Sequence, residues 1–408
     1  MEDITLIMGS VFPVPAVRGG AVENLIENIA KAQEKEKKVN LNIICAYDSN
    51  AKKIANEKFK NTNFNYIKVS KINEFIDKCV YLVATKIFHK KNAMAYSYIF
   101  QRLGYYRKIS ILLHKKDFGK IVLENSTGLY LALKWKKNYL KYAGKYYYHC
   151  HNKVNMDFGC MDIMEQTKKF ISVSDYMGKD LQNFSDKIRD KDFFTLKNII
   201  DYEKFEKNIT ETEKNAIKNK YYINNNEKVI IFVGRLTEEK GIKQLLMAID
   251  NIKYEKFKLL IVGSYFFNTR VKSDFTKELD ELVTRNKERI IFTGYVNYNE
   301  IYQLYKISDL AVLPSMWDEP AGLTIQEAEA CGLPVITTNS GGIPEYVVNG
   351  SSIIINRDEN IVENLKVEIE TLLKNEKKLK EMADKALEII DDLDICKYYK
   401  KLIKILEE

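Results

Sequence analysis

Two glutamates eight positions apart, Glu319 and Glu327, mark where this chain can do chemistry. They lie in "DEPAGLTIQEAEACGLPVITTNSGGIPEYV", residues 318–347, with Pro320 and Gly322 between them and Gly341-Gly342 behind. The run "LAVLPS" before them reads as a strand ending at Pro314 and Ser315. A helix is expected to begin near Leu323, so its first N–H groups can receive a phosphate, and Gly322 lets the backbone approach a ligand. Glu327, one turn in, can accept paired hydrogen bonds from vicinal hydroxyls such as a ribose offers. Glu319, out in the loop, can accept from a sugar hydroxyl. Each polyol end then has one carboxylate, with backbone amides for a diphosphate between. Acids near a helix N-terminus are also favoured by its dipole alone, and for Glu327 by itself that explanation stands equally.

Two cations join this set. Arg235 and Lys240, in "VGRLTEEKG", leave the carboxyl end of the strand "KVIIFVG". Open α/β sheets bind ligands there, and two cations beside a glycine turn can hold a diphosphate. Cations near a turn are also commonly just solvated. Histidine is scarce, with only His89, His114, His149 and His151. Two of the four fall in "YYYHCHN"; in a strand His149 and His151 share a face, so periodicity does not choose between them.

These residues need elements to position them. "ITLIMGS", "NLNIICAY", "KIVLEN", "KYYYHCH", "KFISVS", "KVIIFVG", "KLLIVGS", "RIIFTGY", "LAVLPS" and "PVITT" read as buried strands. Helical segments separate most of them. In "AVENLIENIAKAQEKE", Val22, Leu25, Ile26 and Ile29 form one stripe; in "IKQLLMAIDNI", Ile242, Leu245, Leu246 and Ile249 do. The order strand, Gly/Pro loop, helix starts twice, at residue 4 and at residue 228. That predicts two doubly wound α/β domains with parallel sheets. The boundaries are placed at 1–202 and 203–390, and an amphipathic helix is expected over 391–408.

The 408 residues, with 46% hydrophobic and 12% aromatic content, suit two packed domains and exclude a disordered chain. Residues 1–200 hold 34 basic against 20 acidic residues, a net +14, and residues 201–408 hold 30 against 36, a net −6. Residues 51–150 alone carry 21 basic and 5 acidic residues. Such a basic half can attract an anionic membrane surface or an acidic substrate, although a merely solvated surface also accounts for it. No nucleic-acid partner is expected. The six cysteines form no CxxC pair and no zinc spacing, and they read as mostly buried thiols of a reducing compartment. "MEDITLIMGS" lacks the pattern of a signal peptide, and no apolar stretch reaches ~18 residues, so any membrane contact is expected to be peripheral.

"EPAGLTIQE" resembles the E-x7-E motif of glycosyltransferase family 4, retaining enzymes of the GT-B fold, in which two Rossmann-like domains face a central cleft. "GRLTEEKG", "IIFTGYVNYNEIYQLYKISDLAVLPS" and "ACGLPVITTNSGGIPEYV" resemble the family's neighbouring segments. "RGGAVENLIENIA", "FISVSDYM" and "LKNIIDYEKF" resemble its N-terminal loop, strand end and domain junction. The similarity is dense from Arg235 to Val347 and sparser from residue 50 to 145. "FPVPAVRGGAVE" looks most like a bacterial subgroup with spore-coat and polysaccharide-assembly members. Ala321 and Ile199 depart from the family pattern, in which a bulky residue and a glycine are usual.

The resemblance implies roles. Arg235 and Lys240 would neutralise the donor diphosphate, Glu327 would bind the ribose and Glu319 the transferred sugar. Amides around Gly322, Leu323 and Thr324 would contact sugar and phosphates, the Tyr295–Val296 backbone would flank the base, and Gly19 and Gly20 would approach the phosphates. His151, followed by Asn152, would face the donor sugar, with His149 as the other candidate. Residues 1–202 would form the acceptor side, shaped by Arg18 and Glu23, and the tail 391–408 would pack back on it. The implied reaction moves a hexose-type sugar, from a UDP-sugar by preference, to a hydroxyl of a glycan or lipid-linked glycan. No metal or other cofactor is expected, and the implied place is the cytoplasm, at the inner face of the cell membrane. A catalytically idle sugar-nucleotide-binding or coat protein, or an epimerase of the same fold, are the competing readings.

Overall fold

The computed structural model describes residues 1–9, 12–86, 98–263 and 274–408, so His89 lies outside the described residues. The chain divides into two compact units, Met1–Asn198 with Ile395–Glu408, and Ile199–Asp394. In the first, β1 (Asp3–Met8), β2 (Asn40–Ala46), β3 (Thr62–Ile67), β4 (Lys120–Glu124), β5 (Tyr146–Cys150), β6 (Phe170–Ser172) and β7 (Phe193–Thr195) form one sheet. Its order is β3-β2-β1-β4-β5-β6-β7 and its ladders are parallel. Crossovers between parallel strands carry the helices, among them α1 (Ala21–Glu36), α2 (Ser49–Lys58), α3 (Lys71–Lys86) and α4 (Ile99–Lys115). Parallel strands are covered on both faces, which is why Ile4, Leu6, Ile7 and Met8 of β1 are all fully buried.

The second unit repeats the plan with β8 (Lys228–Val233), β9 (Phe257–Val262), β10 (Ile290–Gly294), β11 (Leu310–Leu313), β12 (Val335–Thr338) and β13 (Ser352–Ile355). The order is β10-β9-β8-β11-β12-β13, again parallel. Phe232, Leu245, Ile249, Leu259, Val312 and Ile336 pack in its core. Each sheet doubles back on itself, between β1 and β4 and between β8 and β11. At such a reversal the loops beyond the carboxyl ends diverge and leave room for a ligand.

All ten strands read from the sequence are present. Three more, β3, β7 and β13, escaped the reading, and all three are sheet edges. An edge strand has less to bury; β3 is "TNFNYI", with asparagines between its aromatics. The charged segment Glu211–Lys220 is a helix whose Thr210 and Glu213 form a capping box. The C-terminal helix runs Ile395–Glu407 within the first unit. Tyr147 Oη donates to Leu406 O at 2.9 Å, Lys169 Nζ to Ile405 O at 2.9 Å, and Lys400 pairs with Glu36 at 2.8 Å.

Candidate functional site

In the second unit, the loops leaving β8, β11 and β12 converge. β8 runs into a 3-10 turn, Glu238–Lys240, and Gly241 then opens the next helix at φ +69°. A Cβ on Gly241 would lie 1.8 Å from Pro314 O, so only glycine lets the turn close on the end of β11. Met316 N donates to Glu239 O at 2.7 Å and Ser315 Oγ to the same oxygen at 3.2 Å, which fixes the two loops together. The third loop enters through Gly341, at φ +57°, whose added Cβ would lie 2.5 Å from Glu319 O; Gly342 N donates to that oxygen at 2.7 Å. The second glycine cluster is therefore a clamp on the backbone of Glu319.

The side chains meet there. Glu319 Oε1 accepts from Lys240 Nζ at 2.5 Å and from Ser315 Oγ at 2.9 Å. Arg235 Nη2 lies 3.1 Å from Glu239 Oε2, both half exposed. Each cation thus has a carboxylate partner, and the exposed pair costs little to reopen. The helix Leu323–Ala330 starts beside this cluster. Gly322 O accepts the amides of Ile325 and Gln326, while those of Leu323 and Thr324 make no hydrogen bond among the described residues and remain available to an anion.

Glu327 is buried on that helix. Tyr305 Oη donates to its Oε2 at 3.2 Å, and Tyr298 supplies a second hydroxyl hydrogen bond. Burial pushes the Glu327 carboxyl up to about 7, against the pull of these two bonds. Glu329, two residues on, is also buried, but its Oε1 is filled by Val348 N at 3.0 Å, Ser351 Oγ and Ser352 Oγ at 2.9 Å. It ties a loop, which leaves Glu327 as the carboxylate of this helix suited to a ligand. Tyr295 is 80% exposed, with Val296 half-buried beside it, after Gly294 at φ +71°.

In the first unit, β4 and β5 place Glu124 beside His149 in register. His149 and His151 do share a face: their ring centroids are 4.1 Å apart. His151 Nε2 lies 2.9 Å from Glu124 Oε2, and Asn198 Nδ2 lies 3.4 Å from His151 Nδ1. That arrangement makes Nε2 the protonated nitrogen. His149 Nδ1 is 3.1 Å from the same carboxylate oxygen without the alignment of a hydrogen bond. Burial opposes ionisation of Glu124, but the charge of His149 and the hydrogen bond from His151 outweigh it and hold the carboxyl down at about 2. Burial, with the charge of His149, lowers His151 to about 4. The three side chains offer ligand atoms within 4.8 Å of one another, a set that can hold a metal ion.

Around α1, Gly19 and Gly20 take φ +74° and +109°. Arg18 pairs with Asp48 at 2.8 Å, Glu23 is buried, and Asn152 Nδ2 donates to Asn125 Oδ1 at 3.1 Å. Beside Asp48, the carboxyl ends of β2 and β3 line a cavity of about 460 Å³ with Tyr47, Phe64, Tyr66, Lys52, Lys68 and Lys108, among others. Glu124, Tyr298, Tyr305 and Ser315 were missed from sequence; an acid closing the apolar run "KIVLE" was the one signal available.

Residues 213–388 match the family Glycosyl transferases group 1. The chain is 26% identical over 356 residues to spore coat protein SA of Bacillus subtilis, covering 86% of this chain and 84% of that protein. Among solved structures, Anabaena HepE in complex with UDP superposes with a TM-score of 0.72 at 19% identity, over 99% of both chains. WaaG, a glycosyltransferase involved in lipopolysaccharide biosynthesis, gives 0.65 at 15% identity, over 99% of both. Two Rossmann-like units in this order constitute the GT-B fold expected from the sequence.

Proposed function

We propose that the chain is a retaining glycosyltransferase that moves a hexose-type sugar from a nucleotide-diphosphate donor, a UDP-sugar, to a hydroxyl of a glycan or lipid-linked glycan. The observation that carries this is the convergence of Lys240 with Glu319 beside the helix that carries the unbonded amides of Leu323 and Thr324 and buried Glu327, all in the second unit. It falls inside the region matching the glycosyltransferase family. The leaving group is a diphosphate, so the site must stabilise growing negative charge. Arg235, Lys240 and a helix N-terminus supply positive potential where that charge appears. On this reading they would do the work of a metal in the step, and chelation is expected to leave turnover intact. Glu327 would receive the ribose hydroxyls in addition to its tyrosine partners, and Glu319 a hydroxyl of the transferred sugar. His151, with Nε2–H committed to Glu124, would present a fixed ring to the sugar. In a retaining transfer, the departing phosphate would take the acceptor's proton on the same face.

UDP is favoured because HepE binds it in its crystal structure. An acceptor of surface polysaccharide synthesis, at the inner face of the cell membrane, fits the basic first half and the spore-coat and lipopolysaccharide connections of the relatives. The test is thermal stability against UDP-, GDP-, ADP- and dTDP-sugars, with Glu327→Ala and Lys240→Ala alongside. A midpoint rise for the UDP class alone, lost in both variants, supports the reading, since a ligand that binds the native state stabilises it. Binding without turnover on any hydroxyl acceptor would favour the idle binder instead. Product anomers assigned by NMR would decide retention.

A further inference from the structure

The helix α3 is built inside out. Ile72, Phe75, Leu82 and Val83 are exposed by 70%, 68%, 49% and 42%. With Cys79 they recur at helical spacing and fall in an arc of about 100° at 3.6 residues per turn. The opposite side is polar: buried Asp77 accepts the amides of Phe100 at 2.9 Å and Gln101 at 3.0 Å, and Asn73 Nδ2 donates to Phe100 O at 3.0 Å. A helix that buries an aspartate and exposes a phenylalanine was not selected to close a core. Those same bonds dock it on the start of α4, which exposes Phe100, Leu103 and Ile111. Soluble surfaces rarely carry so continuous an apolar strip unless something covers it.

Charge says what covers it. No acidic residue occurs in the 17 residues of α4, which carry Arg102, Arg107, Lys108 and Lys115. On α3, Lys71 and Lys78 flank the apolar arc, and Lys86 lies within it. Exposed Glu74 is neutralised by Lys78 at 3.0 Å. A protein partner with a hydrophobic face would not require cations among its apolar contacts, such as Lys86 within the arc of α3 and Arg107 on the side of α4 that carries Phe100, whereas the headgroups of an anionic bilayer pair with them. Its headgroups take the lysines and arginines, and its acyl boundary takes the apolar side chains. No helix among the described residues is long and apolar enough to cross a membrane, so the contact is in-plane. We infer that α3 and α4 form a docking face for an anionic lipid bilayer, seated through Phe75, Leu82, Phe100 and Leu103. This gives a surface to the membrane contact proposed above; its test does not depend on sugar transfer.

The experiment is flotation of the full chain with vesicles of phosphatidylglycerol and phosphatidylcholine, and with phosphatidylcholine alone, at 50 and 500 mM salt. The comparison is Phe75→Asp with Leu82→Asp. Both positions are exposed, and an unchanged thermal midpoint, with the midpoint rise for UDP retained, verifies the fold. The wild type is expected to float with anionic vesicles and to lose most of that at high salt, each cation contributing about fivefold to partitioning. The double variant is expected to partition at least about tenfold less. Failure of the wild type to float at low salt, or equal flotation of wild type and variant, overturns the assignment. So does a concentration-dependent dimer abolished by the double variant without lipid binding, which would give the face to a second copy.

Discussion

Replacing Glu327 by glutamine should stabilise the protein and cripple the donor site at once. The carboxyl is buried and its pKa stands at about 7, against 4.5 for an ordinary glutamate. Between those values the unfolded chain has released a proton that the folded chain retains, so stability falls as pH rises through the window. Above it the full shift applies: about 2.5 pH units at 1.36 kcal/mol each is about 3 kcal/mol of strain at pH 8. Glutamine reproduces the protonated form, keeps an oxygen for the Tyr305 and Tyr298 hydroxyls, and has no proton to lose. At pH 5 the variant should exceed the wild type by less than about 1 kcal/mol. At pH 8 it should be more stable by up to about 3 kcal/mol, or roughly 6–12 °C in midpoint for a unit this size. The assay is thermal unfolding from pH 5 to 8, with and without UDP. Parallel wild-type and variant curves over that range would show that Glu327 is not a strained carboxylate. Stabilisation with undiminished UDP binding would refute its role at the ribose.

Three further outcomes follow from other contacts. His151, held at about 4 when folded and near 6.5 when unfolded, contributes stability that is present above pH 6.5 and lost as pH falls towards 4. His151→Asn should flatten that part of the acid limb, as read by urea midpoints at pH 4.5 and 7. Lys240→Met removes one partner of a mostly shielded pair with Glu319 and should weaken nucleotide-sugar binding at least about tenfold by calorimetry. Gly241→Ala, at φ +69° and against Pro314 O, should cost about 2 kcal/mol or more in unfolding free energy.

What was legible in the sequence follows from what burial does to composition. Central strands such as β1 and β8 are covered on both faces and announce themselves as apolar runs. The edge strands β3 and β13 have one side free and merge with their loops. The site divides the same way. Glu319, Glu327, Arg235 and Lys240 belong to two short segments, so spacing could single them out. Glu124, Tyr298 and Tyr305 reach their partners across 27, 29 and 22 positions of chain, and nothing local marks them. The choice between His149 and His151 was also a matter of neighbours. Only once β4 is laid beside β5 does Glu124 orient the ring of one and merely approach the other.

The two glutamates of the E-x7-E spacing sit in contrasting surroundings, one beside a lysine and one buried among tyrosines, and that contrast suits their separate tasks. Glu319 lies against Lys240, so a donor diphosphate arriving at that lysine would compete with a side chain already there. Binding would exchange one anion for another around a fixed cation and release Glu319 Oε1 towards the sugar, still oriented by Ser315. Glu327, by contrast, sits where burial resists its charge, against the support of two tyrosine hydroxyls and the charge of Lys204. Ribose hydroxyls donating to it would supply the hydrogen bonds that favour the ionised form, and its pKa should fall on binding. Donor binding near pH 7 would then release protons at Glu327. Calorimetry of UDP binding in buffers of different ionisation enthalpy would count them. A count that does not change in Glu327→Gln would break the link between this carboxylate and the nucleotide.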